Sequence, residues 1–274
     1  MDLLVWIILF SLLGGVLSVM AAGLFLLLPA KQRDRLLPHS VSFAIGALLG
    51  AAFLALIPHA VTGVSQGGAN SFGMSPGSIY QIEIHNIGLT ILLGMLGFFL
   101  LEKMVLWRHC HTTHCEAHAP HSTEHHNAAG TLILIGDGIH NLVDGVLIAA
   151  AFMTDIHLGI VTSLAVATHE IPQEVGDFAV LLNSGYSRSR ALWMNVAVSL
   201  TTVIGAVAAY FALAEVRQVL PYILSVAASS FIYIAVADLI PGLHKRTQFS
   251  ATVQQIVLIL AGILCIYFAH STLH

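Results

Sequence analysis

Long apolar runs separated by short polar breaks make up most of the chain. Eight of these runs have about 20 residues or more, which is enough to cross a hydrocarbon core of about 30 Å. Because that core has no water to satisfy backbone N–H and C=O groups, each run is predicted to be a helix. The predicted spans are residues 3–29, 38–62, 84–107, 129–153, 157–183, 189–213, 218–241 and 251–271. The pattern predicts an all-α polytopic membrane protein in which residues 1–274 form one transmembrane domain.

Composition and charge placement agree with this class. Of the 274 residues, 57% are apolar and 9% are charged, against about 25% charged in a soluble domain. If the N-terminus is outside the cytoplasm, nine of the ten Lys and Arg residues lie on the cytoplasmic side, and only Arg217 does not. Basic residues mark the cytoplasmic side, so both termini are predicted to lie outside. The expected partner is the lipid bilayer, and no basic patch indicates nucleic acid.

Polar residues interrupt two consecutive spans near their middle, where ionisable side chains are costly and indicate function. The set on the fourth span is Asp137, His140, Asn141 and Asp144. The set on the fifth span is His169, Glu170, Gln173, Glu174 and Asp177. Intervals of three and four residues place side chains on one helical face. The fifth span offers two adjacent rows, one from His169 and one from Glu170, and spacing alone does not separate them.

The residue types in these two sets indicate a metal site at mid-membrane depth, where transporters bind their substrates. Imidazole and carboxylate suit Zn²⁺, Fe²⁺, Mn²⁺, Co²⁺ or Cd²⁺, and the lack of thiolate argues against Cu⁺. Polar residues that only join helices are an alternative. That alternative fits one polar residue per span, but it does not fit two histidines and five acids on consecutive spans. No organic cofactor is expected.

A histidine-rich tract at residues 108–128 lies between the third and fourth spans, on the predicted cytoplasmic side. Such composition is typical of a metal-binding loop, and in a reducing compartment its cysteines are expected to be thiols. A solvated low-complexity linker is the alternative. The candidate ligands are His109, Cys110, His111, His114, Cys115, His118, His121, His125 and His126.

Two motifs in these spans resemble those of a known transporter family. The run His140-Asn141-Leu142-Val143-Asp144-Gly145 resembles the HN-x-x-D/E-G signature of the ZIP family of divalent-metal transporters. The run from His169 to Asp177 is similar to the HE-x-P-H-E-x-G-D signature of the histidine-rich branch of that family. The resemblance extends to the eight spans, the external termini and the histidine-rich loop.

The resemblance implies a ZIP-like arrangement with a metal site on the fourth and fifth helices. It implies zinc uptake toward the cytoplasm by alternating access, in a homodimer with a moving helix group and a more static one. A bacterial inner membrane is the expected location. The implied principal site consists of His140, Asp144, His169 and Gln173, with Asn141 and Glu170 in a neighbouring second site.

The sequence departs from the family pattern at two places. Gln173 stands where this branch has His and other members have Glu, so a strong nitrogen ligand or a charge is replaced by a weaker amide oxygen. Residues 55–60 replace a more typical HLLPEA, which leaves His59 near the outer end of the second span. His59 is a candidate entrance ligand, and a solvated helix-end residue is the alternative.

Further acids are candidates for supporting or pathway groups. Glu174 matches the branch motif and is counted among the candidate metal ligands. Asp137, Asp177 and Asp238 are candidates for the ion pathway or for groups that support the ligands. Asp238 follows a family pattern near the end of the seventh span, where a cytoplasmic helix-end acid is the alternative.

Two other function classes use similar residues. An intramembrane zinc protease needs a second His four residues after His169, and that position is Gln173. The sequence therefore predicts a transporter rather than an enzyme, with no catalytic residues. A metal exporter or proton-coupled antiporter would use the same ligands, and only the resemblance argues for uptake.

Overall fold

The chain is described from a computed structural model over residues 2–67, 76–110, 123–244 and 248–273. Within these ranges it forms eight long helices and no strand. The first four are α1, Leu3–Leu26; α2, built from Ala30–Gly50, Ala51–Leu56 and Ile57–Gly67; α3, Pro76–Cys110; and α4, Thr123–Thr154. The others are α5, Ile156–Asn183; α6, Arg188–Ala214; α7, Leu220–Leu243; and α8, Phe249–Leu273. The predicted all-α class is confirmed.

Seven helices of the described chain are long and apolar enough to cross a membrane. The remaining helix, α5, has 28 residues and is also long enough. Its mean hydropathy is lowered by the polar residues clustered between His169 and Asp177. The helix least like an ordinary membrane span is therefore one of the two that carry the candidate site.

The helices pack in two groups. In the first group α1, α4, α5 and α6 contact one another, and in the second group α2 and α7 pack together with α8 and α3 on their outer sides. The groups meet where α5 contacts α2 and where α4 contacts α7. Both helices of the candidate site thus lie in the first group and face the second.

Small residues allow the closest helix approach inside the first group. A Cβ atom on Gly145 of α4 would overlap the backbone carbonyl of Thr202 on α6, and one on Gly205 of α6 would overlap that of Leu142. Close approach through small residues is a general means of packing helices in lipid. It fixes the position of α4 against α6.

Three helices contain π-helical turns, at Leu13–Leu17 in α1, Ala51–Leu56 in α2 and Ile234–Leu239 in α7. In α2 and α7 the wider turn is followed immediately by Ile-Pro, with prolines at Pro58 and Pro241. Proline lacks an N–H and crowds the carbonyl four residues earlier. A wider turn before the proline accommodates that carbonyl. The helices α2 and α7, which pack together, thus accommodate their prolines in the same way.

Two apolar clusters lie at opposite ends of the α4–α5 pair. The turn-end core contains Ile148 and Phe152 of α4, Leu158 and Val161 of α5, and residues of α2 and α7. The opposite core contains Val19, Leu134, Phe178, Leu181 and Ala191. The polar stretches 137–144 and 169–177 lie between these two cores. The polar region is therefore bounded by apolar packing along the helix axes in both directions.

Apolar side chains cover the outer faces of α3 and α8, as expected for helices that contact lipid. On α3 the exposed residues include Leu89, Leu92, Leu93, Leu96 and Leu100. On α8 they include Val253, Ile256, Val257, Leu260 and Leu264.

Candidate metal site

A tight turn holds α4 and α5 as antiparallel neighbours. Asp155 caps α5, since its Oδ1 accepts hydrogen bonds from the backbone N–H groups of His157, at 2.8 Å, and Leu158, at 3.0 Å. This carboxylate satisfies two donors that would otherwise have no partner at the helix start. From the turn, α4 runs back through Asp144 to Asp137 while α5 runs forward from His169 to Asp177, so the two polar sets lie side by side.

Four side chains converge to form what we term the principal cluster: His140 and Asp144 of α4 with His169 and Glu170 of α5. The two imidazole Nε2 atoms are 3.3 Å apart. His140 Nε2 is 3.2 Å from Glu170 Oε1 and 3.7 Å from Asp144 Oδ2. His169 Nε2 is 3.5 Å from Glu170 Oε1 and 3.4 Å from Asp144 Oδ2.

These distances match the edges of a metal-ligand tetrahedron. Zinc binds nitrogen and oxygen ligands at about 2.1 Å in tetrahedral sites, which places the ligand atoms roughly 3.4 Å from one another. The five distances in the principal cluster run from 3.2 to 3.7 Å. The cluster thus presents two nitrogens and two oxygens at the spacing of a four-coordinate zinc site.

Three of the four residues of the principal cluster, Asp144, His169 and Glu170, are buried. Asp144 and Glu170 are 0% exposed, and among the described residues their carboxylate oxygens face the imidazole nitrogens of the same cluster. His169 Nδ1 lies 3.2 Å from the Ala165 carbonyl and donates to it, which leaves the Nε2 lone pair facing the cluster. Buried carboxylates are costly unless a cation neutralises them.

One face of the principal cluster is formed by the second helix group. The ring of Phe231 on α7 packs edge-on against His169, with centroids 6.1 Å apart. The side chain of His140 keeps 20% of its surface exposed, whereas that of His169 keeps 1%. The cluster is therefore more open on the side of His140, and the ring of Phe231 covers the side of His169.

A second group of acids, which we term the carboxylate cluster, lies next to the principal cluster and farther from the α4–α5 turn. It contains Asp137, Glu174 and Asp177, whose carboxylate oxygens come within 4.8 Å of one another. All three residues are buried. Both clusters therefore use the same two helices.

Two amide side chains hold Asp137 in place beside the principal cluster. Asn141 Nδ2 donates to Asp137 Oδ1 at 2.9 Å, and Gln173 Nε2 donates to the same oxygen at 3.2 Å. Thr202 Oγ1 of α6 donates to Asn141 Oδ1 at 2.7 Å. This chain of hydrogen bonds links α6, α4 and α5 and separates the two clusters by a neutral layer.

The structure divides the predicted ligands differently from the division that the resemblance implies. His140, Asp144 and His169 come together, but Glu170 joins them and Gln173 does not. The amide of Gln173 is bound to Asp137 instead. Asn141 likewise uses both its oxygen and its nitrogen in hydrogen bonds to protein groups. The cause is Asp137, a buried acceptor that both amides can reach.

The other sequence candidates lie apart from these clusters. His59 Nδ1 is 2.9 Å from the carbonyl of Ala55, and the His59 ring contacts the ring of His270 on α8 with centroids 5.4 Å apart. Asp238 is exposed within the π-helical turn of α7. Neither belongs to a metal-capable group of the described residues. Residues 111–122 of the histidine-rich tract lie outside the described chain, as do the side chains of His109, Cys110, His125 and His126.

Sequence reasoning missed residues that support the site from neighbouring helices. Thr202 fixes Asn141, and Thr201 donates to the Gly138 carbonyl at 2.9 Å. Phe231 packs on His169. The two threonines stand within a largely apolar span, where helix-joining hydroxyls are common. The sequence therefore gave only a weak indication of the roles of the two threonines, and it gave no indication of the role of Phe231.

Comparison with known proteins agrees with these observations. The model of the family described as ZIP Zinc transporter matches residues 3–130 and 108–270. Zinc transporter ZIP13 of Pongo abelii is 32% identical over 271 residues, covering 92% of this chain and 75% of that protein. Zinc transporter zipt-7.2 of Caenorhabditis elegans is 31% identical over 297 residues, covering 93% and 64%. Zinc transporter SLC39A7 of Mus musculus is 30% identical over 326 residues, covering 92% and 67%.

Proposed function

The chain belongs to the ZIP family of zinc transporters, and from that premise we propose that the principal cluster carries its transported metal across the membrane. The protein is an integral membrane transporter of divalent metal, zinc foremost, and it is not an enzyme. Fe²⁺, Mn²⁺, Co²⁺ and Cd²⁺ are further substrates proposed from the ligand types. The rival assignment as an intramembrane protease is thereby set aside.

The observation that supports the proposal best is the spacing of the four ligand atoms, since five of their six separations lie between 3.2 and 3.7 Å. Such spacing needs no rearrangement to accept an ion of zinc's size. Interhelical hydrogen bonding alone would pair donors with acceptors. Here the carboxylates of Asp144 and Glu170 both face the same two imidazole nitrogens, which are metal ligands as well as donors.

Charge balance explains why the cluster suits a divalent ion. Two ionised carboxylates, from Asp144 and Glu170, offset the two positive charges, and two neutral imidazoles, from His140 and His169, complete the coordination. A neutral assembly is the least costly charge state to hold away from water, because an unpaired buried charge loses its hydration without compensation. The protein thus replaces the hydration shell of the ion with four fixed ligands.

Transport also requires the cluster to open alternately to the two sides. We propose that the first helix group, which carries the cluster, moves against the second at the contact of His169 with Phe231. The turn-end core contains residues of both groups and must part when they move, whereas the opposite core lies within the first group and moves with it. Both helix groups are packed well enough to move as units, which is the usual form of alternating access.

Direction, assembly and location complete the proposal. Movement toward the cytoplasm, a homodimer and a bacterial inner membrane with both termini outside are supported by the family resemblance and by the side on which the basic residues lie. The relatives compared above are animal proteins. A metal exporter or proton-coupled antiporter would use the same four ligands, because coordination has no direction.

The test is zinc flux into proteoliposomes containing the full chain in known orientation. The double variant His140→Ala/His169→Ala is expected to abolish flux, because it removes both nitrogen ligands. The variant His244→Ala, at an exposed histidine near the end of α7, serves as the matched control and is expected to keep it. Flux only from the cytoplasmic face outward would overturn the uptake direction, and normal flux in the double variant would overturn the site.

A further inference from the structure

An open polar groove lies between α2 and α8, near the start of both helices. The residues that line it are Pro38, His39 and Ser42 of α2 and Ala251, Gln254, Gln255 and Leu258 of α8. Within each set the intervals are mostly three or four residues, so each helix lines the groove with one face. The groove has a volume of about 220 Å³, whereas pockets for drug-sized ligands have about 300–1,000 Å³. It therefore suits a small polar group rather than a whole organic ligand.

The position of the groove corresponds to the boundary between membrane and water. The apolar run of α2 begins at residue 38 and that of α8 at residue 251, so both helices change from polar to apolar sequence at the groove. Farther along α8, Val257 and Leu260 are 57% and 52% exposed, as expected for residues that contact lipid. A molecule bound here meets polar side chains at one end and an apolar helix face at the other.

Two basic residues continue the groove face of α2 toward the start of the helix. Lys31 and Arg35 precede His39 by eight and four residues, so they share its face. Both are exposed, and no described Asp or Glu forms a salt bridge with either of them. The run 31–35 has three basic residues and one acid, which gives it a formal charge of +2. The groove is thus bordered by positive charge that attracts an anion.

Hydrogen bonds to backbone carbonyls hold two of the groove side chains in place. His39 Nδ1 donates to the carbonyl of Arg35, which fixes the imidazole ring against α2. Gln255 Nε2 donates to the carbonyl of Leu243 at 3.3 Å, which links the groove to the end of α7. The side chain of Gln254 is exposed, and its amide group can donate two hydrogen bonds to a ligand. The groove therefore combines fixed polar walls with one accessible donor.

We propose that this groove binds the headgroup of an anionic phospholipid. Lys31 and Arg35 attract the phosphate, Gln254 donates a hydrogen bond to its oxygens, and an acyl chain lies along the exposed face of α8 at Val257 and Leu260. The predicted orientation puts the groove on the cytoplasmic side, where anionic lipids accumulate. The bound lipid joins α2 to α8 within the second helix group, so the proposal goes beyond metal transport and does not depend on which metal the first group carries.

The experiment is native mass spectrometry of the delipidated full chain in detergent, titrated with dioleoyl phosphatidylglycerol or with dioleoyl phosphatidylcholine, which has no net charge. The first phosphatidylglycerol is expected to bind at least ~10-fold more tightly than phosphatidylcholine. The variant Lys31→Gln/Arg35→Gln is expected to lose at least ~10-fold in phosphatidylglycerol affinity. Arg188→Gln/Arg190→Gln removes the same charge at exposed positions at the start of α6 and is the matched control, expected to bind as the parent does.

Gln254→Leu separates the groove from a general attraction between charges, because it keeps the net charge and removes only the amide. It is expected to weaken phosphatidylglycerol binding by at least ~3-fold. Unchanged binding in Gln254→Leu and Lys31→Gln/Arg35→Gln overturns the proposal, and so does an equal loss in the α6 control. Equal affinity of the parent for the two lipids also overturns it. Inorganic phosphate that binds as tightly as phosphatidylglycerol would assign the groove to a free anion and overturn the lipid.

Discussion

The two clusters occupy neighbouring turns of the same two helices, yet they differ in ligand chemistry. In the principal cluster two imidazoles and two carboxylates meet at tetrahedral distances, and one Zn²⁺ makes the assembly neutral. The carboxylate cluster has three acids and no imidazole, and it uses the amides of Asn141 and Gln173 to stabilise Asp137. Two neighbouring turns of the same helices thus present different ligand types.

The largest expected effect comes from removing one charge from each cluster in turn. Asp144→Asn should weaken zinc binding by ~100-fold or more, because it removes a ligand and leaves the ion with excess positive charge. Asp177→Asn should change zinc affinity by less than ~10-fold, because this residue lies outside the principal cluster. Isothermal titration with zinc measures both. Equal losses would show that the two clusters act as one site.

A second comparison concerns Glu170 and Gln173, whose placement differs from what the family resemblance implies. Glu170→Ala is expected to weaken zinc binding by about 100-fold, since Glu170 contacts both imidazoles. Gln173→Ala is expected to cost only a few-fold, because it breaks one hydrogen bond to Asp137. Zinc titration of both purified variants measures the two losses of affinity. If Gln173→Ala has the larger loss, Gln173 turns into the principal cluster when metal binds.

Acidity should weaken zinc binding at the principal cluster. Imidazole must be unprotonated to bind a metal, so protons compete with zinc for His140 and His169. Zinc affinity is therefore expected to be greatest at neutral to alkaline pH and to fall as the solution is acidified. Zinc titrations of the purified chain at a series of pH values measure this trend, and an affinity that is the same at every pH would contradict it.

The smallest expected effect comes from changing Thr202, which holds Asn141 in the neutral layer between the two clusters. Thr202→Val keeps the shape of the side chain but removes the hydroxyl that donates to Asn141 Oδ1. Loss of one such hydrogen bond costs about 1 kcal/mol, which corresponds to about fivefold in affinity. We expect zinc flux to fall by no more than this factor. Thr252→Val, at an exposed hydroxyl on α8, is the control.

The sequence was sufficient for the fold class, but it did not separate Asp137 and Asn141 from the residues of α4 that form the principal cluster. Apolar run lengths predicted eight helices, and the spacing of Asp137, His140 and Asp144 predicted one face. On α5 spacing suggested rows four residues apart. The structure instead divides these residues by their position along the axis of α5. His169 and Glu170 lie on one turn, and Glu174 and Asp177 lie on the next. An ion that lies between the two rows is contacted by adjacent residues from both rows. Which residues these are depends on how α4 and α5 cross.

The position of Gln173 could not be predicted from the sequence for a related reason. Its residue type allowed a role as an oxygen ligand, and its place in the motif favoured that role. Its actual partner is Asp137, one turn before His140 on the neighbouring helix. Pairing across helices depends on their relative translation, which α4 and α5 acquire from the short turn capped by Asp155.

The most direct test is the position of bound metal in crystals of the full chain grown with Cd²⁺ or Zn²⁺, located by anomalous scattering. The account predicts a peak about 2.0–2.4 Å from the Nε2 atoms of His140 and His169 and from carboxylate oxygens of Asp144 and Glu170. A peak ligated by Gln173 while Glu170 is turned away, or no peak between α4 and α5, would contradict it.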